Sequence, residues 1–102
     1  MITRVWRGWT ASAGDADAYE TLLRDEILPG LEQIAGFAGA TVLRRDGGTE
    51  GVEFVVMTLF DTLAAIHGFA GDDLERAVIE PAARRLLAHA DERVTHYETV
   101  IG

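Results

Sequence analysis

A chain of 102 residues, 48% hydrophobic and 25% charged, is long enough for one core and too rich in apolar side chains to remain disordered. Its formal charge is −8, every basic side chain is Arg and no basic run exceeds two, so binding to nucleic acid is excluded as a function class. Cysteine is absent, which removes disulfides, thiolate nucleophiles, zinc knuckles and iron–sulfur ligation together.

Ile2 to Ala11, rich in Val, Ile, Thr and Trp, reads as a first strand. Gly14-Asp15 opens a helix for which Asp15 or Asp17 is the expected N-cap. Tyr19, Leu22, Leu23 and Ile27 form its apolar stripe, and Leu31 and Ile34 extend it. Asp15, Asp17, Glu20, Asp25, Glu26 and Glu32 read as its solvated face. Pro29-Gly30 is expected to break or kink it, because proline lacks the N–H and crowds the preceding turn. Ala40 to Arg45 reads as a second strand, Asp46-Gly47-Gly48 as a turn, and Val52 to Phe60 as a third strand. Asp61-Thr62 caps a second helix carrying Leu63, Ile66 and Phe69. Asp72 and Glu75 predict a fresh cap for a short helical piece with Leu74, Ala77 and Val78. Pro81 starts another piece running to about Ala90, and Arg93 to Ile101 reads as the last strand.

The expected architecture is α+β in the order β-α-β-β-α-β over a single domain, residues 1–102, with a ferredoxin-like four-stranded antiparallel sheet and its helices on one face. The third strand is apolar on both sides. Val55, Met57 and Leu59 share one face, and Phe54, Val56, Thr58 and Phe60 the other. Helices on one side leave the other face without cover from the chain itself. The expectation is that the helices pack on Val55, Met57 and Leu59, and that Phe54, Val56 and Phe60, with Trp6 beside them, form the seam of a homodimer. The longest apolar run, Phe54 to Phe60, is too short to cross a membrane, and no secretory signal is read at the N-terminus, so the expected protein is cytoplasmic with no membrane partner.

Ile2-x-Arg4-x-Trp6-x-Gly8, the strand end Thr58-Leu59-Phe60, Leu63-Ala64-Ala65-Ile66 followed by Phe69-Ala70-Gly71, and the terminal His96-Tyr97-Glu98 resemble, in order and spacing, the antibiotic-biosynthesis-monooxygenase family over nearly the whole chain. The resemblance implies a dimeric α/β barrel with a pocket between sheet and helices or inside the barrel. It also implies one of three cases: oxidation of a small aromatic or polyketide-like molecule with molecular oxygen and no cofactor, haem degradation, or no known activity. Phe60 stands where active members carry Trp, and the chain has no Asn, which the haem-degrading branch uses with a Trp and a His, so the resemblance does not extend to haem cleavage. His67 falls in the region of that branch's histidine.

His67, His89 and His96 have no metal-ligand spacing, so no metal is expected, and no cofactor fingerprint is present. Gly47-Gly48-x-x-Gly51 lacks the Lys and helix of a phosphate loop, and Ser12, the only Ser, is not in a nucleophile motif. His96 and Glu98 share a strand face and read either as a general base with its orienter or as the polar outer face of a terminal strand. Arg4 reads either as a salt-bridge partner of Glu98 across the sheet or as the donor that steadies an anion. Trp6, Trp9, Phe54 and Phe60 read as lining of an aromatic pocket or as core or dimer seam, with Thr58 and His67 as further contacts of a small aromatic ligand. The corresponding functions are a cofactor-independent monooxygenase using His96, Glu98 and Arg4, or a non-catalytic module that binds an apolar ligand or a partner.

Overall fold

The structure, a computed structural model, describes residues 1–102. Strand β1 (Ile2–Thr10) leads into helix α1 (Ala13–Leu22), which continues through a π-helical turn (Leu23–Ile27) into α2 (Leu28–Leu31). Strands β2 (Phe37–Gly48) and β3 (Gly51–Phe60) form a hairpin, α3 (Leu63–Ala70) follows, and α4 (Pro81–Leu86) precedes two short strands, β4 (His89–Ala90) and β5 (Thr95–Glu98). All pairings are antiparallel: β2 pairs with β3, β3 with β1, and β1 with both β4 and β5 along its other edge. The α+β fold and the helices on one side of an antiparallel sheet agree with the reading of the sequence.

Several local expectations give way to better hydrogen bonding. Ser12, not an aspartate, caps α1, its Oγ accepting from the Asp15 N–H at 3.1 Å. Asp15 instead sits in the first turn, where its charge faces the positive end of the helix. Pro29 does not break the helix. The Leu28 N–H reaches back to the Leu23 carbonyl, and this wider turn opens the path just before a residue with no N–H. The expected piece around Leu74 to Val78 is not helical, because its backbone pairs with another segment: Ala77 N–H donates to the Glu92 carbonyl and Val94 N–H to the Glu75 carbonyl. α4 stops at Leu86 rather than near Ala90, since Ala88 N–H is taken by the Trp9 carbonyl. The last strand is split, with Asp91 to Val94 bulging between its halves.

The sheet faces the opposite way from the expectation. The register pairs Ile2 with Phe60, Arg4 with Thr58, Trp6 with Val56 and Gly8 with Phe54, so these residues share one face. That face meets the helices. Phe54 lies edge-on to Tyr19 of α1 with ring centroids 4.9 Å apart, and Phe60 stacks on Phe69 of α3 at 5.7 Å. Phe54 and Phe60 are fully buried. The uncovered face therefore carries Val55, Met57 and Leu59, with Val5, Trp9, Leu43 and Tyr97 in register beside them. Glu53, a charge in the same alternation as Val55, is the sequence signal for this orientation.

The core divides in two. One cluster joins Ala16, Tyr19, Leu23, Val52, Phe54 and Ala83, and the other Phe60, Ile66 and Ala70 with Phe37, Phe69 and Leu74 packed against them. Gly36, at φ +88°, makes the turn into β2, and a Cβ there would come 2.6 Å from that of Ala65. On the surface Arg44 ties β2 to α1 through Asp17 at 2.8 Å and Glu20 at 3.3 Å.

Candidate functional site

A cavity of about 770 Å³ lies between the helix-covered face of the sheet and the helices, with walls drawn from both halves of the core. Its floor is Arg4, Trp6, Val56 and Thr58 from β1 and β3. One side is the long helix, through Tyr19, Leu22, Leu23, Ile27 and Leu31. Phe69 of α3 and the stretch from Val78 to Ala83 close the rest, with Glu26, Glu80 and Arg85 as further charged lining residues. The lining is predominantly apolar, as expected of a small-molecule pocket with a few fixed polar groups.

Trp6 is held against this floor for two reasons. Its Nε1–H donates to the Asp91 carbonyl at 2.8 Å, a group presented by the bulge in the last strand. Its indole lies across Gly8, where a Cβ would collide with the ring and sit 2.8 Å from Cζ2. Tyr19 meets Trp6 edge-on at 6.5 Å. Burial raises the Tyr19 phenol well above its ordinary range, so it is a neutral hydroxyl that can donate.

Arg4 is the distinctive group. It is 3% exposed. Its Nη1 donates to the Leu74 carbonyl at 2.5 Å and to His96 Nε2 at 2.9 Å, and its Nη2 donates to the Arg76 carbonyl at 2.6 Å. The guanidinium also lies over the Phe69 ring, 5.4 Å from the centroid. No carboxylate pairs with it. Burial pulls its pKa down to about 10, which leaves it charged at neutral pH.

The residues singled out in the sequence separate into three groups. Arg4, Trp6 and Thr58 line the cavity. Phe54 and Phe60 are core residues beneath the helices, and neither lines the cavity nor lies on the uncovered sheet face. His67 lies on the exposed side of α3, bonded to Asp72 at 2.8 Å, and does not reach the cavity. His96 pairs in register with Arg4, whereas Glu98 pairs with Ile2 and is exposed, so the expected Arg4–Glu98 salt bridge is replaced by an Arg4–His96 hydrogen bond. An arginine only donates, so His96 Nε2 must accept and its proton sits on Nδ1. Burial, reinforced by the Arg4 charge, lowers the His96 pKa and favours this neutral form. His96 makes no hydrogen bond to Glu98, and the lone pair it needs as a base is taken by Arg4. In the sequence Tyr19 reads only as part of an apolar stripe. A tyrosine among aliphatic residues signals a polar end that needs a partner or a cavity.

The lining contains no His or Cys, and its tyrosine is held neutral, so its donor set does not fit axial ligation of a haem. No group of three His, Asp or Glu is placed to hold a metal ion.

No family model and no curated protein sequence matches this chain. Solved structures do match its fold. A protein from Deinococcus radiodurans described as an antibiotic biosynthesis monooxygenase superposes with a TM-score of 0.63 and 20% identity, covering 100% of this chain and 95% of that one. A variant of MhuD, solved with two manganese protoporphyrin IX molecules per active site, gives 0.65 and 20% over 100% and 97%. The monooxygenase from the gene ActVA-Orf6 of Streptomyces coelicolor, solved with nanaomycin D, gives 0.61 and 15% over 94% and 82%. The chain has the ferredoxin-like fold of the antibiotic biosynthesis monooxygenases, as the resemblance in its sequence implies.

Proposed function

We propose that this protein is a cofactor-independent monooxygenase-like enzyme acting on a small aromatic or polyketide-like molecule bound between the sheet and the helices. The observation that carries this reading is a largely apolar cavity with a buried, charged arginine that no carboxylate neutralises. In such a site a phenol or enol ionises more readily, because its oxyanion is stabilised by a fixed cation that costs no reorganisation. Arg4 stabilises the oxyanion, His96 positions Arg4, Trp6 and Phe69 flank the ring, and the released proton passes to water at the cavity mouth. The electron-rich anion reduces oxygen directly. An activated methylene becomes a carbonyl that keeps one oxygen atom, and the other leaves as water.

A second reading, a non-catalytic module that holds an apolar ligand, is favoured by the base inventory. His96 Nε2 accepts from Arg4 and the Tyr19 phenol is pushed up, so neither takes a proton readily. Oxygen uptake with anthrone-like and quinol compounds separates the two. The first reading expects uptake with formation of the carbonyl product, and its loss in Arg4→Gln by roughly 10²–10³-fold, the usual cost of removing one oxyanion donor. Binding without uptake across the panel supports the second.

The expected partner is a second copy of the chain, joined through the uncovered sheet face. Val5, Leu43, Val55, Met57, Leu59 and Tyr97 form its apolar centre, and Arg7 with Glu53, 3.8 Å apart, part of its polar border. No helix is long and apolar enough to cross a membrane.

A further inference from the structure

We propose that the ligand carries a carboxylate on an otherwise flat, apolar body, and that this carboxylate sits on Arg4 between the hydroxyls of Thr58 and Tyr19. This rests on the reading of the cavity as the functional site, and puts a ligand carboxylate, in place of an ionised phenol or enol, on the free donors of Arg4.

A guanidinium has five N–H donors. Arg4 spends two on Nη1, at Leu74 and His96, and one on Nη2, at Arg76. Nε–H and one Nη2–H remain without a partner in the chain, two charged donors available to an anion. Thr58, directly opposite Arg4 in the register, is 6% exposed and lines the same cavity, and its hydroxyl bonds to nothing in the chain. Tyr19 is 3% exposed, lines the cavity and likewise has no hydrogen-bond partner in the chain. Three polar side chains, each more than nine-tenths buried, thus bring unused donors to one apolar cavity. A buried cation without a carboxylate is costly in a protein interior, and a ligand that brings the counter-charge removes that cost.

The charge selection is also specific. Glu26, Glu80 and Arg85 also line the cavity, so apart from Arg4 its charged lining is two acids to one base, a balance that disfavours a second negative group. The flanking rings of Trp6, Tyr19 and Phe69 suit a planar body. The ligand class is therefore an aromatic monocarboxylate rather than a dicarboxylate or a neutral quinone.

The test compares anthraquinone-2-carboxylate with anthraquinone-2-carboxamide by titration calorimetry at pH 7.5, since the pair differs in charge and hardly in shape. Wild type is expected to bind the carboxylate at least tenfold more tightly, and to bind the 2,6-dicarboxylate more weakly than the monocarboxylate. Arg4→Gln is expected to erase the preference. Because Arg4 also ties down the Leu74 to Arg76 backbone, Thr58→Val, with folding verified by circular dichroism, serves as a second variant expected to reduce the preference severalfold. Equal affinity of the acid and the amide for wild type, no binding of either to millimolar concentration, or an undiminished preference in folded Arg4→Gln overturns the proposal. Oxygen uptake on the same samples keeps the two readings apart. Selective carboxylate binding with no turnover of reduced acidic analogues sinks the oxygenase reading and leaves the anchor standing. Turnover of neutral anthrones at the same efficiency as their carboxylates does the reverse.

Discussion

A guanidinium that is 3% exposed and meets two carbonyls, an imidazole and an aromatic face keeps its charge against a substantial solvation penalty. His96 shares that environment, and its lowered pKa links it to pH. Where the folded pKa is depressed, the unfolded chain binds more protons, so stability is fully present above the unfolded value of about 6.5 and is lost as pH falls toward the folded value. Urea midpoints measured from pH 8 to pH 5.5 are therefore expected to fall for wild type more steeply than for His96→Gln. Parallel curves would remove His96 from this linkage. Trp6 gives a second expectation at this scale. Gly8→Ala should displace the indole and cost roughly 1–3 kcal/mol, as overpacking does, with a changed near-ultraviolet dichroism. Arg4, Trp6 and Thr58 were legible because polar and aromatic residues on a shared strand face stand out. The Arg4–His96 bond was not, because the cross-strand register depends on where the broken last strand re-enters the sheet.

Among elements, β1 and β3 match the reading of the sequence to within a residue, but β2 is twice the expected length and runs through Asp46-Gly47-Gly48, with the turn at Thr49-Glu50, and neither the split last strand nor the stretch from Gly71 to Ala90 matches. Its sequence carries good helix caps at Asp72 and Pro81, yet the Ala77 and Ala88 N–H groups and the Glu75 carbonyl are claimed by partners distant in the chain. Tertiary pairing outweighs local capping there. The same lesson explains the inverted sheet: with β3 apolar on both sides, alternation fixes which residues share a face but not which face the helices take. Packing now orders the mutational costs. Ile66 is fully buried beside Phe60, so Ile66→Ala is expected to cost about 2–5 kcal/mol. Leu22 borders the cavity and is only half-buried, so Leu22→Ala should cost clearly less while altering ligand affinity. Chemical denaturation of both variants checks the order, and equal losses would mean that the cavity wall at Leu22 packs as core.

For the whole molecule, the uncovered sheet face and the cavity are two separate consequences of one arrangement. With the helices all on the Phe54 side, Val55, Met57 and Leu59 face outward, and the expected dimer uses them. Met57→Arg is expected to give a folded monomer by light scattering at micromolar concentration, whereas Phe60→Arg, which places a charge at a fully buried position, should fail to fold. A folded dimer of Met57→Arg would put the interface elsewhere. The element order was legible from periodicity and turn residues, and the likeness of fold from the spacing of short motifs. A cavity is a gap between elements, and no local pattern encodes its volume. The central claim is that this cavity, with Arg4 at its floor, oxidises an ionised aromatic with oxygen and no cofactor. The most direct measurement is oxygen consumption by protein dialysed against chelator, with anthrone-like and quinol substrates and their carboxylates, paired with mass analysis under ¹⁸O₂. With the anthrone-like substrates, uptake in wild type is expected, with one labelled oxygen atom in the carbonyl formed from the methylene and loss of turnover in folded Arg4→Gln. Product formation unchanged by Arg4→Gln, or no uptake with any compound that binds, would contradict it.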